Sequence, residues 1–304
     1  MRSNRFSISA EAATAALRAA LRRVPAAAPL LIHTDLMRLG MPDGTLGREA
    51  VAEAWLAILN DAADGRTVLI PTFNYGFTKT RRYDPADAPG HVGSLSAHCA
   101  RHHVDRRTLT PIFNFCVFGD GPFDRAPVRH PFSAESAFGT LFARDGAILF
   151  LGADMLANTF VHFVECAAGI GYRYLKPFPG IVVDQSVESP VDFRFPVRPL
   201  VADAVVYGDL GERDLRAADL VHEFEVGLAR GLLVGARTYH DLVRRRLAED
   251  ELYLLTPKSR AITASLYEQF GRPLTLAAME PTQPALSARS RKSSRSWPQN
   301  GSPR

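Results

Sequence analysis

A chain of 304 residues, 46% apolar and 22% charged, is long enough to bury a full core, and no run in it approaches the ~20 apolar residues of a membrane span. The net charge of +4 is uneven: residues 281–304 carry Arg289, Arg291, Lys292, Arg295 and Arg304 with no acidic group. The other 280 residues hold 31 basic and 32 acidic groups, so the body lacks the basic excess of a nucleic-acid binder.

Taken in order, Ser9 is placed to cap a helix reaching about Arg23, rich in alanine from Ala12 to Ala20 and ended by Pro25 and Pro29. Residues 30–32 read as a strand, and His33-Thr34-Asp35-Leu36 leaves its carboxyl end. A second helix opens near Gly47, with Val51, Ala54, Trp55, Ile58 and Leu59 on one face. Residues 67–70 are a strand closed by Pro71. Residues 74–92, including Tyr75, form a long loop of the kind that is usually functional. A helix is expected over 94–104, a strand over 112–119, a helix within 132–144 and a strand over 148–151. After Gly180 the texture turns to β, over 181–183, 191–197 and 204–207. Two amphipathic helices, 219–230 and 238–247, close the pattern. The alternation predicts an α/β fold: a mostly parallel central sheet flanked by helices, with a β-rich C-terminal extension. It is expected to be one domain over 1–280, followed by a disordered basic tail over 281–304. Three cysteines (Cys99, Cys116 and Cys166) and an N-terminus interrupted by Arg2, Arg5 and Arg18 predict a cytoplasmic protein without disulfides or a signal peptide.

The most informative stretch is 148–165. An unbroken apolar run ends at Gly152 and delivers Asp154, Asn158 and Thr159 to the carboxyl end of a buried strand, where open α/β sheets bind ligands. Asn158 and Thr159 are placed to cap a helix beginning near Phe160. His162 and Glu165 then share one face of its first turn. A histidine with a carboxylate partner is the usual general base near neutral pH. A satisfied core histidine beside a dipole-favoured glutamate would read the same way.

Other chemistries are less complete. His98 and His102 stand at helical i, i+4 spacing with His103 beside them, and His130 and His162 add imidazoles. No HExxH or CxxC pattern accompanies them, so no metal is expected, and a metal-dependent hydrolase is kept as the alternative. The sequence has no GxSxG elbow, GxGxxG or GxxxxGK[ST]. Backbone N–H groups at the His33-Thr34-Asp35 turn suit a phosphate or an oxyanion, or simply a helix cap.

In order, residues 32–36 with Leu39-Gly40, residues 65–73, residues 107–111 and residues 148–165 resemble the segments VHSSL…LG, GTLxMPTF, RSxHP and LLLGxxxxxxTxxHxxE. Together they resemble the aminoglycoside 3-N-acetyltransferase family, whose fold differs from that of the GNAT acetyltransferases. The resemblance implies acetyl transfer from acetyl-CoA to an amino sugar, with His162 as base and Glu165 as its acidic partner. It further implies coenzyme A contacts at His33, Thr34, Asp35, Leu36, Arg107, Thr108 and Thr110. Asp154, Asn158 and Thr159 at the strand end and Tyr75 in the long loop are the expected acceptor contacts. Departures are Thr34-Asp35 for two serines, Thr108 for serine and Thr110 for histidine. Lys79, Arg81, Arg82, Arg173 and Lys176 predict a basic rim, which favours a nucleotide-linked or glycan amino sugar over a polycation. A homodimer is compatible with this reading, and a catalytically inactive coenzyme A-binding module is a further alternative.

Overall fold

A computed structural model describes residues 6–281, so the predicted tail from 282 onward lies outside the described residues. The central sheet has six strands in the spatial order His222–Val226, Ala229–Gly235, Ala147–Leu151, Leu30–Thr34, Val68–Pro71 and Phe115–Phe118. Leu30–Thr34 runs parallel to both of its neighbours. The other three pairings are antiparallel, so the sheet is mixed where a mostly parallel one was expected. The reason is local. His222–Val226 and Ala229–Gly235 form a hairpin, turned at Gly227 with a left-handed φ of 58°, and the hairpin adds its second strand beside Ala147–Leu151. The residues expected as a helix over 219–230 are therefore mostly strand.

Strand alternation sorts the core onto two faces. Leu30, Ile32, Ile70, Leu149 and Leu151 pack with Leu17, Trp55 and Leu95, from the helices Ala10–Leu21, Gly47–Ala63 and Ser94–His102. Leu31, Leu69, Ile148 and Phe150 face Phe138, Val164, Tyr239 and Val243, from the helices Ala137–Ala143, Val161–Ala168 and Ala236–Glu249. Ala147–Leu151 is wholly buried, as its apolar run predicts. The first helix is capped as expected, Ser9 Oγ accepting the Ala12 N–H at 3.1 Å.

The β-rich extension is the long hairpin of Tyr174–Asp184 and Val187–Val197, which with Arg82–Tyr83 makes a separate three-stranded sheet. Residues 204–207, expected as a strand, contribute only a single bridge from Tyr207 to Leu255. The helix Pro257–Phe270, which the sequence reading did not anticipate, packs Leu266 against Tyr174 and Ala204. Among the described residues no helix is long and apolar enough to cross a membrane.

Candidate active site

Gly152 ends the central strand with φ +65°, and a Cβ there would stand 2.9 Å from the Asp35 carbonyl oxygen, so a side chain is excluded on both counts. The chain then makes a short turn to Asn158, whose Oδ1 accepts the Phe160 N–H at 3.1 Å. This bond holds the turn ahead of the helix Val161–Ala168, whose N-cap is Phe160 and carries no side-chain cap, in place of the expected Asn158 cap. Thr159 does not cap by its side chain. Gly169, with φ +66°, closes the helix and turns the chain back, so that Tyr172 and Arg173 return to Glu165.

Glu165 is 1% exposed, and every lone pair of its carboxylate is engaged. Oε2 accepts from His162 Nδ1 at 2.9 Å and Arg173 Nε at 2.8 Å. Oε1 accepts from the hydroxyls of Tyr172 at 2.6 Å and Tyr207 at 2.7 Å. Burial alone would raise the Glu165 pKa. Arg173 and the bonds from His162 and Tyr172 overcome it and pull it down to about 2. Glu165 is thus a fixed negative charge that cannot shuttle a proton near neutrality. It holds the His162 proton on Nδ1, leaving Nε2 as the lone-pair nitrogen, and no hydrogen bond from the described residues reaches Nε2. Burial and the Arg173 charge lower the His162 pKa against the upward pull of Glu165, so the ring is neutral and able to accept a proton at neutral pH. Its side chain keeps 22% of its surface exposed.

Three hollows are lined by residues adjoining this pair, not by His162 or Glu165 themselves. His33, Thr34, Tyr75 and Thr159 line a cavity of about 320 Å³ with Phe73 and Ala157. His33 Nε2 itself is buried with no hydrogen-bond partner among the described residues, and burial lowers the pKa of that ring to about 4. Thr108 and Thr110 line a second cavity of about 300 Å³ that reaches Pro131, next to Phe132, whose ring stands 5.3 Å from that of His162. Asn158 lines a narrow cleft with Tyr207, Asp209 and Glu212.

Other expected contacts lie elsewhere. Leu36 is core, and Asp154 is exposed, 3.6 Å from Arg38. The Asp35 N–H is committed to the Leu151 carbonyl at 2.8 Å, so it is not the expected oxyanion donor, and its carboxylate caps Met37. Arg107 is fully buried, its guanidinium bonded to the carbonyls of Pro85, Ala88 and Thr72 and to Asn114 Oδ1. It clamps the loop after the Val68–Pro71 strand and has no face free for a phosphate. Arg107→Lys should therefore cost about 2–3 kcal/mol by urea denaturation, since an ammonium cannot reproduce the fork. A raised KM for acetyl-CoA at unchanged stability would restore the phosphate-binding role. Three cations of the expected basic rim are engaged, while Lys79 is exposed with no ion pair among the described residues. Arg173 lies inside, and Arg82 and Lys176 pair with Glu188 and Glu280.

The fold and site define an α/β transferase scaffold with a buried carboxylate–imidazole pair at the carboxyl edge of a mixed sheet. A family profile described as aminoglycoside 3-N-acetyltransferase matches residues 31–248, and the chain belongs to that family. Membership makes it an acetyl-CoA-dependent N-acyltransferase. Among solved structures, it is similar to the apoenzyme of aminoglycoside acetyltransferase AAC(3)-IVa, at 22% identity over 81% of this chain and 92% of that one, with a TM-score of 0.57. It is also similar to AAC-IIIb in a binary complex with CoASH, at 17% identity over 83% and 99% of the two chains and a TM-score of 0.63. The YokD protein from Bacillus subtilis matches at 16% identity over 83% and 97%, with a TM-score of 0.62. No match was found among curated protein sequences.

Proposed function

We propose that this chain acetylates an amine of a polycationic amino sugar, with His162 Nε2 as the base, Glu165 fixing its tautomer, and the cavity beside His33 holding the pantetheine arm of acetyl-CoA. The observation that carries the reading is the pairing of one half-buried imidazole, its Nε2 unbonded among the described residues, with one ionised, fully bonded carboxylate. An ammonium must lose a proton to attack a thioester carbonyl. As the C–N bond forms and the C–S bond breaks, His162 takes the amine proton and returns it to the leaving sulfur. The positive charge that builds on the ring is balanced by Glu165 at 2.9 Å. Thr34, Thr159 and Tyr75 line that cavity and carry hydroxyls suited to the amides of the pantetheine arm.

The acceptor assignment departs from the one the charge pattern predicts, because three of the five rim cations, Arg82, Arg173 and Lys176, are paired with carboxylates. Asp209 instead lines the cleft beside Tyr207, where a carboxylate suits an ammonium group, with Glu212 next to it paired to Arg216 at 2.8 Å. Related AAC(3)-IVa has been crystallised as a histidine-to-alanine mutant with a gentamicin and with apramycin, in keeping with a polyamine sugar. Free-thiol release from acetyl-CoA, measured against a panel of aminoglycosides and a panel of nucleotide-linked amino sugars, tests the assignment. Turnover confined to the first panel is expected, and preference for the second would overturn the acceptor.

A further inference from the structure

On the opposite face of the sheet from His162, the helices Gly47–Ala63 and Ser94–His102 pack against one another. Glu49 and Glu53 present one helical turn of carboxylates, and His98 and His102 one turn of imidazoles. His98, 5% exposed, is held between the two acids, Nδ1 at 2.9 Å from Glu49 Oε2 and Nε2 at 2.8 Å from Glu53 Oε2. A neutral imidazole has one N–H and one lone pair, so one of these contacts sets a lone pair against a carboxylate oxygen. A cation at that point removes the conflict. His102 Nε2 lies 3.2 Å from the same Glu49 oxygen, while Arg101 fixes Oε1 of that carboxylate at 2.5 Å. The Glu49, His98 and His102 donor atoms lie within 4.8 Å of one another. Tetrahedral zinc with bonds of about 2.0–2.1 Å has ligand–ligand edges of about 3.3 Å, so only small side-chain shifts are needed to close on an ion.

We propose that Glu49, His98 and His102 form a binding site for one zinc-class divalent transition metal, tying the Ser94–His102 helix to the Gly47–Ala63 helix. Two imidazoles and one carboxylate suit zinc, nickel or copper rather than the all-oxygen shells of calcium or magnesium. Glu49 and His102 are about half exposed, which leaves the outer coordination positions to water. The role is structural. Ser96, on the same helix as the two histidines, lines the cavity assigned above to pantetheine, so the ion would brace that wall without touching the reacting atoms. This separates it from the metal-hydrolase alternative, in which the histidine-bound metal would itself carry the reaction.

Tag-free full-length protein, stripped with chelator and titrated with zinc by calorimetry, tests the site, with cobalt as a visible-absorption probe. One equivalent should bind, Tm should rise, and His102→Ala and Glu49→Gln should each weaken binding at least tenfold, while His130→Ala should not. His102 is exposed enough that its truncation leaves the fold intact, so weakened binding reports the site itself. No uptake, or equal affinity in wild type and His102→Ala, would overturn the proposal.

Discussion

Replacing His162 by alanine is expected to lower kcat/KM for the amine by about 10²–10⁴-fold, the usual worth of a positioned general base. No neighbour can take its place: Glu165 is held ionised near 2, and burial pushes the Tyr172 and Tyr207 hydroxyls well above their ordinary range. The loss should fall on kcat, with the KM for acetyl-CoA and the melting temperature nearly unchanged, because the ring is partly exposed and packs mainly on Phe132 and Tyr207. The pH profile supplies an independent check. Burial and Arg173 depress the His162 pKa below its ordinary 6.5, so its acid limb in kcat/KM lies below that value and activity is flat in this limb at neutrality. Glu165 pulls the same pKa up, so Glu165→Gln should move the limb to lower pH while reducing kcat. Full turnover by His162→Ala, or a limb that stays in place in Glu165→Gln, would remove His162 from the base role.

How far the sequence discloses this site depends on how local each signal is. Ile148 to Leu151, Asn158, His162 and Glu165 lie within one strand–turn–helix unit, where apolar runs, caps and helical spacing all act over a few residues. Their placement is therefore legible. Tyr207 reaches Glu165 from 42 residues further along, and no period or motif connects the two. Arg173 was readable only as surface charge, because nothing in the pattern tells a cation on a rim from one folded back by Gly169 onto a buried acid. Arg107 misleads for a related reason: its partners are mostly carbonyls, which every residue carries, so they leave no trace in side-chain spacing. Residues 219–230 show the limit of periodicity itself. His222, Phe224 and Val226 alternate as a strand, yet the same segment also fits a helical face. The left-handed turn at Gly227 decides it, together with the packing of Phe224 on Gly231, where a Cβ would stand 2.3 Å from the ring. The acceptor depends on which charges are left free, and only the ion pairs of the folded chain determine that.

Arg173→Met should be the most destabilising single change in the site. It removes the cation 2.8 Å from a carboxylate that is 1% exposed, and breaking a buried pair from one side typically costs about 3–5 kcal/mol. The Tyr207 hydroxyl also loses the Arg173 Nη2 bond at 2.7 Å, so the clamp loosens at two points. The acid dependence of stability shows whether the lost term is electrostatic. In the wild type the folded-state pKa of Glu165, about 2, lies below its ordinary 4.5, so its contribution is fully present above 4.5 and is lost as pH falls toward 2. Without Arg173 the upward push of burial is less opposed, the folded pKa rises, and the loss across that window shrinks. The double variant Arg173→Met/Glu165→Gln should recover part of the stability, since it leaves no unpaired buried charge, although His162 then lacks its carboxylate and kcat stays low. If Arg173→Met were instead within about 1 kcal/mol of wild type with an unchanged acid limb, hydrogen bonds from water or a rearranged tyrosine would be holding Glu165 ionised. Arg173 would then not be the group that fixes the charge from which His162 draws its orientation.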